Sequence, residues 1–133
     1  MQISIYTITM GRELYLQNLI HSIHRNAGIH HINFEYHIGW QGVRPTQDMK
    51  DYIYQYHHIL HITNHYWDDN CGAGHANNRI IPELSGNLVI KLDDDTIIHS
   101  QDFFKHILEI SRLEPNIIFS PYPVGLINNP GGV

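Results

Sequence analysis

Leu88-Val-Ile-Lys-Leu-Asp-Asp-Asp-Thr96 is an apolar run that ends in three consecutive carboxylates. An almost wholly apolar run of this length is typical of a parallel strand that is covered by helices on both faces. The acidic triplet that follows (Asp93, Asp94 and Asp95) brings like charges together, which is unfavourable unless a cation lies beside them. The stretch therefore predicts a strand that ends at a divalent-cation site. The alternative is that the acids only cap the next helix or solvate a turn.

Strand and helix patterns alternate along the rest of the chain. β-branched and aromatic runs predict strands, and apolar residues spaced three and four apart predict helices. We expect strands at 2–9, 33–39, 58–63, 88–92 and 116–120, and helices at 14–27, 48–56, 76–84 and 101–112. Helix ends are expected at Thr46, Ser100 and Gly28, a loop at 64–75, and an extended tail at 121–133. This order predicts one α/β domain over residues 1–133, with a Rossmann-like, mostly parallel sheet and helices on both faces.

Composition narrows the classes of function. A formal charge of -5 with only 8 Lys and Arg residues argues against a broad nucleic-acid surface, whereas a compact anionic ligand remains compatible with it. The single cysteine, Cys71, excludes an internal disulfide and a thiolate zinc cluster, and we expect it to be a small packing residue. No apolar run approaches the ~20 residues of a transmembrane helix, and no basic segment precedes the first apolar run. We therefore expect a soluble, cytoplasmic protein.

The 12 histidines suggest a second kind of metal site. His57, His58, His61 and His65 are close in sequence, but the strand expected at 58–63 would point them to different faces and scatter them. His75 is expected in the loop before the third helix, either as a plain loop residue or as a donor to a phosphate group. These considerations argue against a histidine metal centre.

Residues 70–95 carry a more specific pattern. A loop containing asparagine and glycine leads into a small-residue helix, and a glycine-containing turn then leads into the strand and the acidic triplet. In this order the segment resembles the family 2-like glycosyltransferases of the GT-A fold. The residues that match are Asn70, Gly72, Ala76, Asn78, Arg79, Gly86 and the acidic triplet, which corresponds to the family's DxD motif. Residues 4–23 resemble the family's first strand, its threonine-containing turn and its leucine-rich helix, so the resemblance spans about residues 3–120.

The resemblance implies the nucleotide-binding half of a GT-A-type domain that uses a nucleoside diphosphate sugar and Mn²⁺ or Mg²⁺. It implies that Thr7, Thr9 and Arg12 lie beside the base and ribose, and that Asp93 and Asp95 bind the metal. The same resemblance assigns nucleotide contacts to Asn70, Gly72, Asn78, Asp93 and Asp94.

The sequence departs from the family pattern at two points. The second strand ends in Gly39, Trp40 and Gln41 where the family usually has an acidic pair, and Trp40 would either pack in the core or stack on a base. In addition, the last acidic residue is Glu114, so the acceptor-binding half and its catalytic base have no counterpart in this sequence. The sugar, the nucleoside, the acceptor and the base are therefore not assigned.

Two other functions remain open from the sequence. One is a non-catalytic GT-A-like binding or assembly module, and the other is a nucleotidyltransferase. The second is less well supported, because Gly11 and Arg12 are all that the first turn offers of a glycine-rich, basic loop. The sheet edge would be covered by a second copy of the chain or by a further domain.

Overall fold

The computed structural model describes residues 2–27, 32–118 and 120. Within these ranges, strands and helices alternate, and a short 3₁₀ turn at Ile81–Glu83 precedes the last strand. The elements are β1 (Gln2–Thr9), α1 (Glu13–Ala27), β2 (Asn33–Gln41), α2 (Gln47–Leu60), β3 (Ile62–Trp67), α3 (Gly72–Ile80), β4 (Leu88–Lys91) and α4 (Phe103–Leu113). In none of the described ranges is a helix long and apolar enough to cross a membrane.

The four strands form one parallel sheet in the order β3-β2-β1-β4. Residues 2–9 of β1 pair with 33–40 of β2, and residues 3–6 of β1 pair with 88–91 of β4. The chain thus builds outward from β1 to β3 and then returns to add β4 on the other side of β1. The carboxyl ends of β1 and β4 therefore flank the point where strand order reverses, and in open α/β sheets ligands bind at this point.

The sheet is covered on both faces, as the sequence predicts. Because side chains alternate along a strand, one face of β1 and β2 presents apolar residues that pack against α1, α2 and α4. This core includes Ile3, Ile5, Phe34, Tyr36, Ile38, Trp40, Leu16, Leu19, Met49 and Phe104. The opposite face presents buried polar side chains, among them Ser4 and His37, beneath α3. The predicted α/β class is thus confirmed.

The boundary between α2 and β3 differs from the prediction. Thr46 caps α2 as expected, with its hydroxyl accepting a hydrogen bond from Met49 N at 3.2 Å. The helix continues to Leu60, however, so the strand predicted at 58–63 is wrong over its first half. Burial of Leu60 extends the apolar face of the helix, and His61 alone reverses the chain in a left-handed conformation with φ of 48°. The strand then runs to Trp67.

The loop predicted at 64–75 is shorter in the structure, where residues 68–71 connect a strand to a helix. Residues 64–67 belong to β3, because they continue the ladder with residues 38–41 of β2. The helix begins at Gly72, where Asn70 Oδ1 accepts a hydrogen bond from Gly72 N at 3.1 Å, and it ends at Ile80. The remainder of the predicted helix 76–84 is the 3₁₀ turn that contains Pro82.

The last predicted elements are shifted or absent. α4 begins at Phe103 with Asp102 as N-cap, while Ser100 lies two residues earlier and accepts a hydrogen bond from Asp102 N at 3.3 Å. Of the strand predicted at 116–120, the described residues 116–118 and 120 form no strand. Gly28 and the tail at 121–133 lie outside the described residues.

Candidate functional site

Asp94 connects the ends of β1 and β4. Its side chain is buried, and Oδ2 accepts a hydrogen bond from Thr9 Oγ1 at 2.9 Å while Oδ1 pairs with the Arg12 guanidinium. Thr9 Oγ1 in turn accepts a hydrogen bond from Gly11 N at 3.1 Å, which orders the turn after β1. The bond to Asp94 raises the pKa of Arg12. Both oxygens of Asp94 are thus used to join the two loops at the switch point.

Asp93 and Asp95 lie on either side of this buried carboxylate and face solvent. The Asp93 side chain is 71% exposed and that of Asp95 is 50% exposed. Each has a basic side chain at the same distance: Lys91 Nζ is 3.5 Å from Asp93 Oδ1, and Arg12 Nη1 is 3.5 Å from Asp95 Oδ2. The acidic triplet therefore consists of one anchored carboxylate and two accessible ones.

These two accessible carboxylates fit a magnesium- or manganese-type cation. Such ions take oxygen ligands, and Mg²⁺ is commonly held by one or two carboxylates together with substrate phosphates and water. Among the described residues, no group of three or more His, Cys, Asp or Glu side chains is arranged to hold a metal ion. The donor set at Asp93 and Asp95 therefore suits a cation that arrives with an oxygen-rich ligand, rather than one enclosed by protein alone.

Two further candidates, Thr7 and Trp40, have fully buried side chains. Thr7 is fully buried on the core face, with Oγ1 2.8 Å from the hydroxyl of Tyr36. Trp40 is also fully buried and donates from Nε1 to Asn64 Oδ1 at 2.9 Å. Of the two alternatives for Trp40, packing in the core is the one that the structure has.

The loop after β3 approaches the loop after β1. The side chain of Asn70 lies against Met10, with Nδ2 3.2 Å from Sδ. Gly72 begins α3, and Asn78 is exposed on the same helix. Of the residues matched in this segment, Asn70 is thus the one that contacts the β1 loop.

A charged cluster in this loop was not predicted from the sequence. Arg79 Nη1 is 3.1 Å from Asp69 Oδ1, and the guanidinium carbon of Arg79 lies 5.6 Å from the centroid of the Trp67 ring. Cys71 is exposed and its thiol contacts Asp69, so the expected packing role is wrong. The hydrogen bond to Asp69 raises the pKa of the Cys71 thiol and so disfavours the thiolate. The sequence held one signal for this cluster. Trp67 follows Tyr66 directly, and this pair of aromatic residues lies at the end of a strand.

A second unpredicted cluster lies on the polar face of the sheet and centres on Glu35. Its carboxylate accepts hydrogen bonds from Ser4 and from both the amide and the hydroxyl of Ser85, the latter at 2.8 Å. Burial alone would raise the pKa of Glu35, but these bonds lower it to about 2. Glu35 therefore fastens β1 and the turn before β4 to β2.

His37 and His65 extend this cluster. His37 Nδ1 is 2.8 Å from His65 Nε2, and His37 Nε2 is 3.6 Å from Glu35 Oε2. Burial and the neighbouring His37 lower the pKa of His65. The histidines near 57–65 are scattered as expected, although for a different reason, because His57 and His58 belong to α2 and His61 ends it.

Comparison with known proteins finds similarity in structure. No family model matches the chain, and no curated protein matches it in sequence. The crystal structure of S. aureus TarS residues 1–349 matches with a TM-score of 0.70 and 18% identity, over 92% of this chain and 39% of that chain. The structure of the same protein in complex with UDP-GlcNAc matches with a TM-score of 0.70 and 18% identity, over 92% of this chain and 37% of that chain.

The mannosyltransferase PcManGT from Pyrobaculum calidifontis, in complex with GDP-Man and Mn²⁺, matches with a TM-score of 0.68. Its identity is 14%, over 82% of this chain and 32% of that chain. The chain has a GT-A-like glycosyltransferase fold. It spans no more than 39% of the length of these chains.

Proposed function

We propose that the chain is the donor-binding part of a family 2-like glycosyltransferase and binds a nucleoside diphosphate sugar together with Mn²⁺ or Mg²⁺. The observation that carries this proposal is the meeting of Thr9 and Arg12, at the end of β1, with the acidic triplet at the end of β4. This edge is the switch point of a sheet whose fold is shared with glycosyltransferase structures that contain GDP-Man or UDP-GlcNAc.

The roles of the residues follow from their exposure and charge. Asp93 and Asp95 would hold the cation, and the acidic triplet would serve as the DxD motif. A bound divalent cation supplies a Lewis acid that stabilises negative charge on the departing diphosphate. Asp94 positions the loop through Thr9 and Arg12, and the half-exposed guanidinium of Arg12 offers donors to phosphate oxygens beside it.

Thr7 and Asn78 have weaker support as direct contacts. Thr7 is buried against Tyr36, so we propose that it acts through the core beneath β1 rather than on the ligand. Asn70 and Gly72 shape the loop that faces Met10. We propose that the nucleoside lies on this side of the edge. The acceptor and the catalytic base are not assigned to any described residue.

Calorimetric titration with UDP and with GDP tests the proposal, with Mn²⁺ present and with a chelator in its place. We expect binding that depends on Mn²⁺ and that falls at least about tenfold in both Asp93→Asn and Asp95→Asn. Asp68→Asn is the matched control, because it removes the same charge from a side chain that is 97% exposed and pairs with Arg44. Metal-dependent binding that is unchanged in both variants would overturn the assignment.

The same preparation distinguishes the alternative functions. Release of the nucleoside diphosphate from a sugar donor would support a catalytic domain. Metal-dependent binding without release would support the binding or assembly module, and turnover of a nucleoside triphosphate would support a nucleotidyltransferase.

A further inference from the structure

The two accessible carboxylates of the acidic triplet are already partly neutralised by basic side chains. Arg12 lies 3.5 Å from Asp95 and Lys91 lies 3.5 Å from Asp93. With Arg12 also paired to Asp94, two positive charges face three negative charges, which leaves one uncompensated negative charge at this edge.

Both basic side chains are tethered close to the acids. Lys91 is the last residue of β4, so its backbone is held in the ladder opposite Tyr6. Arg12 is held by its bond to Asp94 and lies over the ring of Tyr15, with its guanidinium carbon 5.5 Å from the ring centroid. Arg12 is 52% exposed and Lys91 is 43% exposed, so their charged ends can exchange one nearby partner for another.

A divalent cation between Asp93 and Asp95 would approach both of these positive charges. Two unit charges at 4 Å repel by about 1 kcal/mol even in bulk water, and the repulsion doubles for a dication. Entry of the cation alone is therefore opposed by Arg12 and Lys91. A diphosphate removes this opposition, since its oxygens accept hydrogen bonds from guanidinium and ammonium groups and bring further negative charge.

We propose that Arg12 and Lys91 are tethered counter-ions, so that this site takes up a divalent cation only together with a diphosphate group. On binding, the two side chains exchange the carboxylates of Asp95 and Asp93 for phosphate oxygens, while Arg12 keeps its bond to Asp94. The inference rests on the proposed function, because it assigns an order of binding to the same site. It adds to that function a direct role for Lys91, and it relies on the phosphate role already proposed for Arg12, in place of contact with the base and ribose.

The inference predicts effects of opposite sign on two affinities. In Lys91→Gln and in Arg12→Gln, Mn²⁺ alone should bind about threefold more tightly, and about tenfold more tightly in the double variant. Binding of pyrophosphate or UDP in saturating Mn²⁺ should instead weaken by about tenfold in each single variant. A role in structure alone would weaken both affinities together.

Suitable controls separate the local charges from net charge and from folding. Arg44→Gln removes the same charge from a residue that pairs with Asp68 at 2.9 Å, and it should change neither affinity. Lys91→Gln leaves the Asp94 pairs intact, so it remains informative if Arg12→Gln is poorly folded. Arg12→Lys keeps the positive charge and should restore weak binding of Mn²⁺ alone.

The experiment measures free Mn²⁺ from its electron paramagnetic resonance signal during titration, and then pyrophosphate and UDP binding by calorimetry. Tighter binding of Mn²⁺ alone with weaker binding of pyrophosphate supports the inference. If the wild-type chain binds UDP with Mn²⁺ but the variants do not bind Mn²⁺ alone more tightly, the inference is overturned and the proposed function stands. If neither the wild type nor any variant binds Mn²⁺, pyrophosphate or UDP, both are overturned.

Discussion

Replacing Glu35 by Gln should destabilise the protein by about 3 kcal/mol at neutral pH. The pKa of this carboxyl falls from 4.5 to about 2, and each unit of difference corresponds to about 1.4 kcal/mol between the two protonation states. The side chain is only 15% exposed, so solvent screens these bonds little. Gln keeps an acceptor oxygen but loses the charge, so most of the stabilisation from the Ser4 and Ser85 hydrogen bonds should be lost.

The pH dependence of unfolding provides the sharper test. Because the pKa of Glu35 is lowered on folding, its contribution is complete above pH 4.5 and is lost as the pH falls toward 2. Urea unfolding followed by circular dichroism, at neutral pH and at several pH values between about 4.5 and 2, should show this loss in the wild type but not in Glu35→Gln. Asp68→Asn is the control, because its carboxylate is 97% exposed.

A specific result would refute this reasoning. If Glu35→Gln lowers the free energy of unfolding by less than about 1 kcal/mol and keeps the acid dependence of the wild type, the Glu35 hydrogen bonds contribute little to stability. If the reasoning holds, nucleotide binding should weaken as well. The amide of Gly86 donates to Ser4 Oγ at 2.7 Å, so the turn that leads into β4 depends on the same cluster.

Three further substitutions probe other contacts. Asp94→Asn should lower the free energy of unfolding by roughly 1–3 kcal/mol, because a buried charged hydrogen bond is lost, and it should also weaken UDP binding in the presence of Mn²⁺. Unchanged values in urea unfolding and in calorimetry would contradict this. Burial and the neighbouring His37 lower the pKa of His65 from 6.5, so the free energy of unfolding of the wild type should fall as the pH drops below 6.5. In His65→Gln, the free energy of unfolding measured in urea should depend less on pH. In Gly39→Ala the new methyl group would lie 2.6 Å from the Trp67 ring, so about 1–3 kcal/mol of stability should be lost and tryptophan emission should shift to longer wavelength. Unchanged urea unfolding together with an unchanged emission spectrum would contradict this.

Much of the fold could be predicted from local sequence patterns. The apolar alternation of β1 and the three- and four-residue spacing of α1 are strong signals, and the structure has both elements close to the expected bounds. The connection at His61 could not be predicted in the same way. His58 to Leu60 suit a strand as well as a helix, and only the packing of Leu60 against the core and a left-handed backbone at His61 decide between them.

The candidate site shows the same limit. The acidic triplet is visible in the sequence, and its place at a sheet edge follows from the strand before it. Which acid is buried does not follow, because Asp94 is fixed by Thr9, which is 85 residues away along the chain. The contacts of Glu35 with Ser85, 50 residues away, are hidden for the same reason.

The short pairing between β1 and β4 makes Asp94 an alignment residue for the edge of the sheet. Only residues 3–6 and 88–91 pair, and a slip of two residues would keep every side chain on its own face. Such a slip would move the acidic triplet by about 6.6 Å along the strand and separate Asp94 from Thr9 and Arg12. The bonds of Asp94 therefore favour one register over the shifted one. Loss of this carboxylate should allow β4 to slide, so that strand registry and ligand binding fail together.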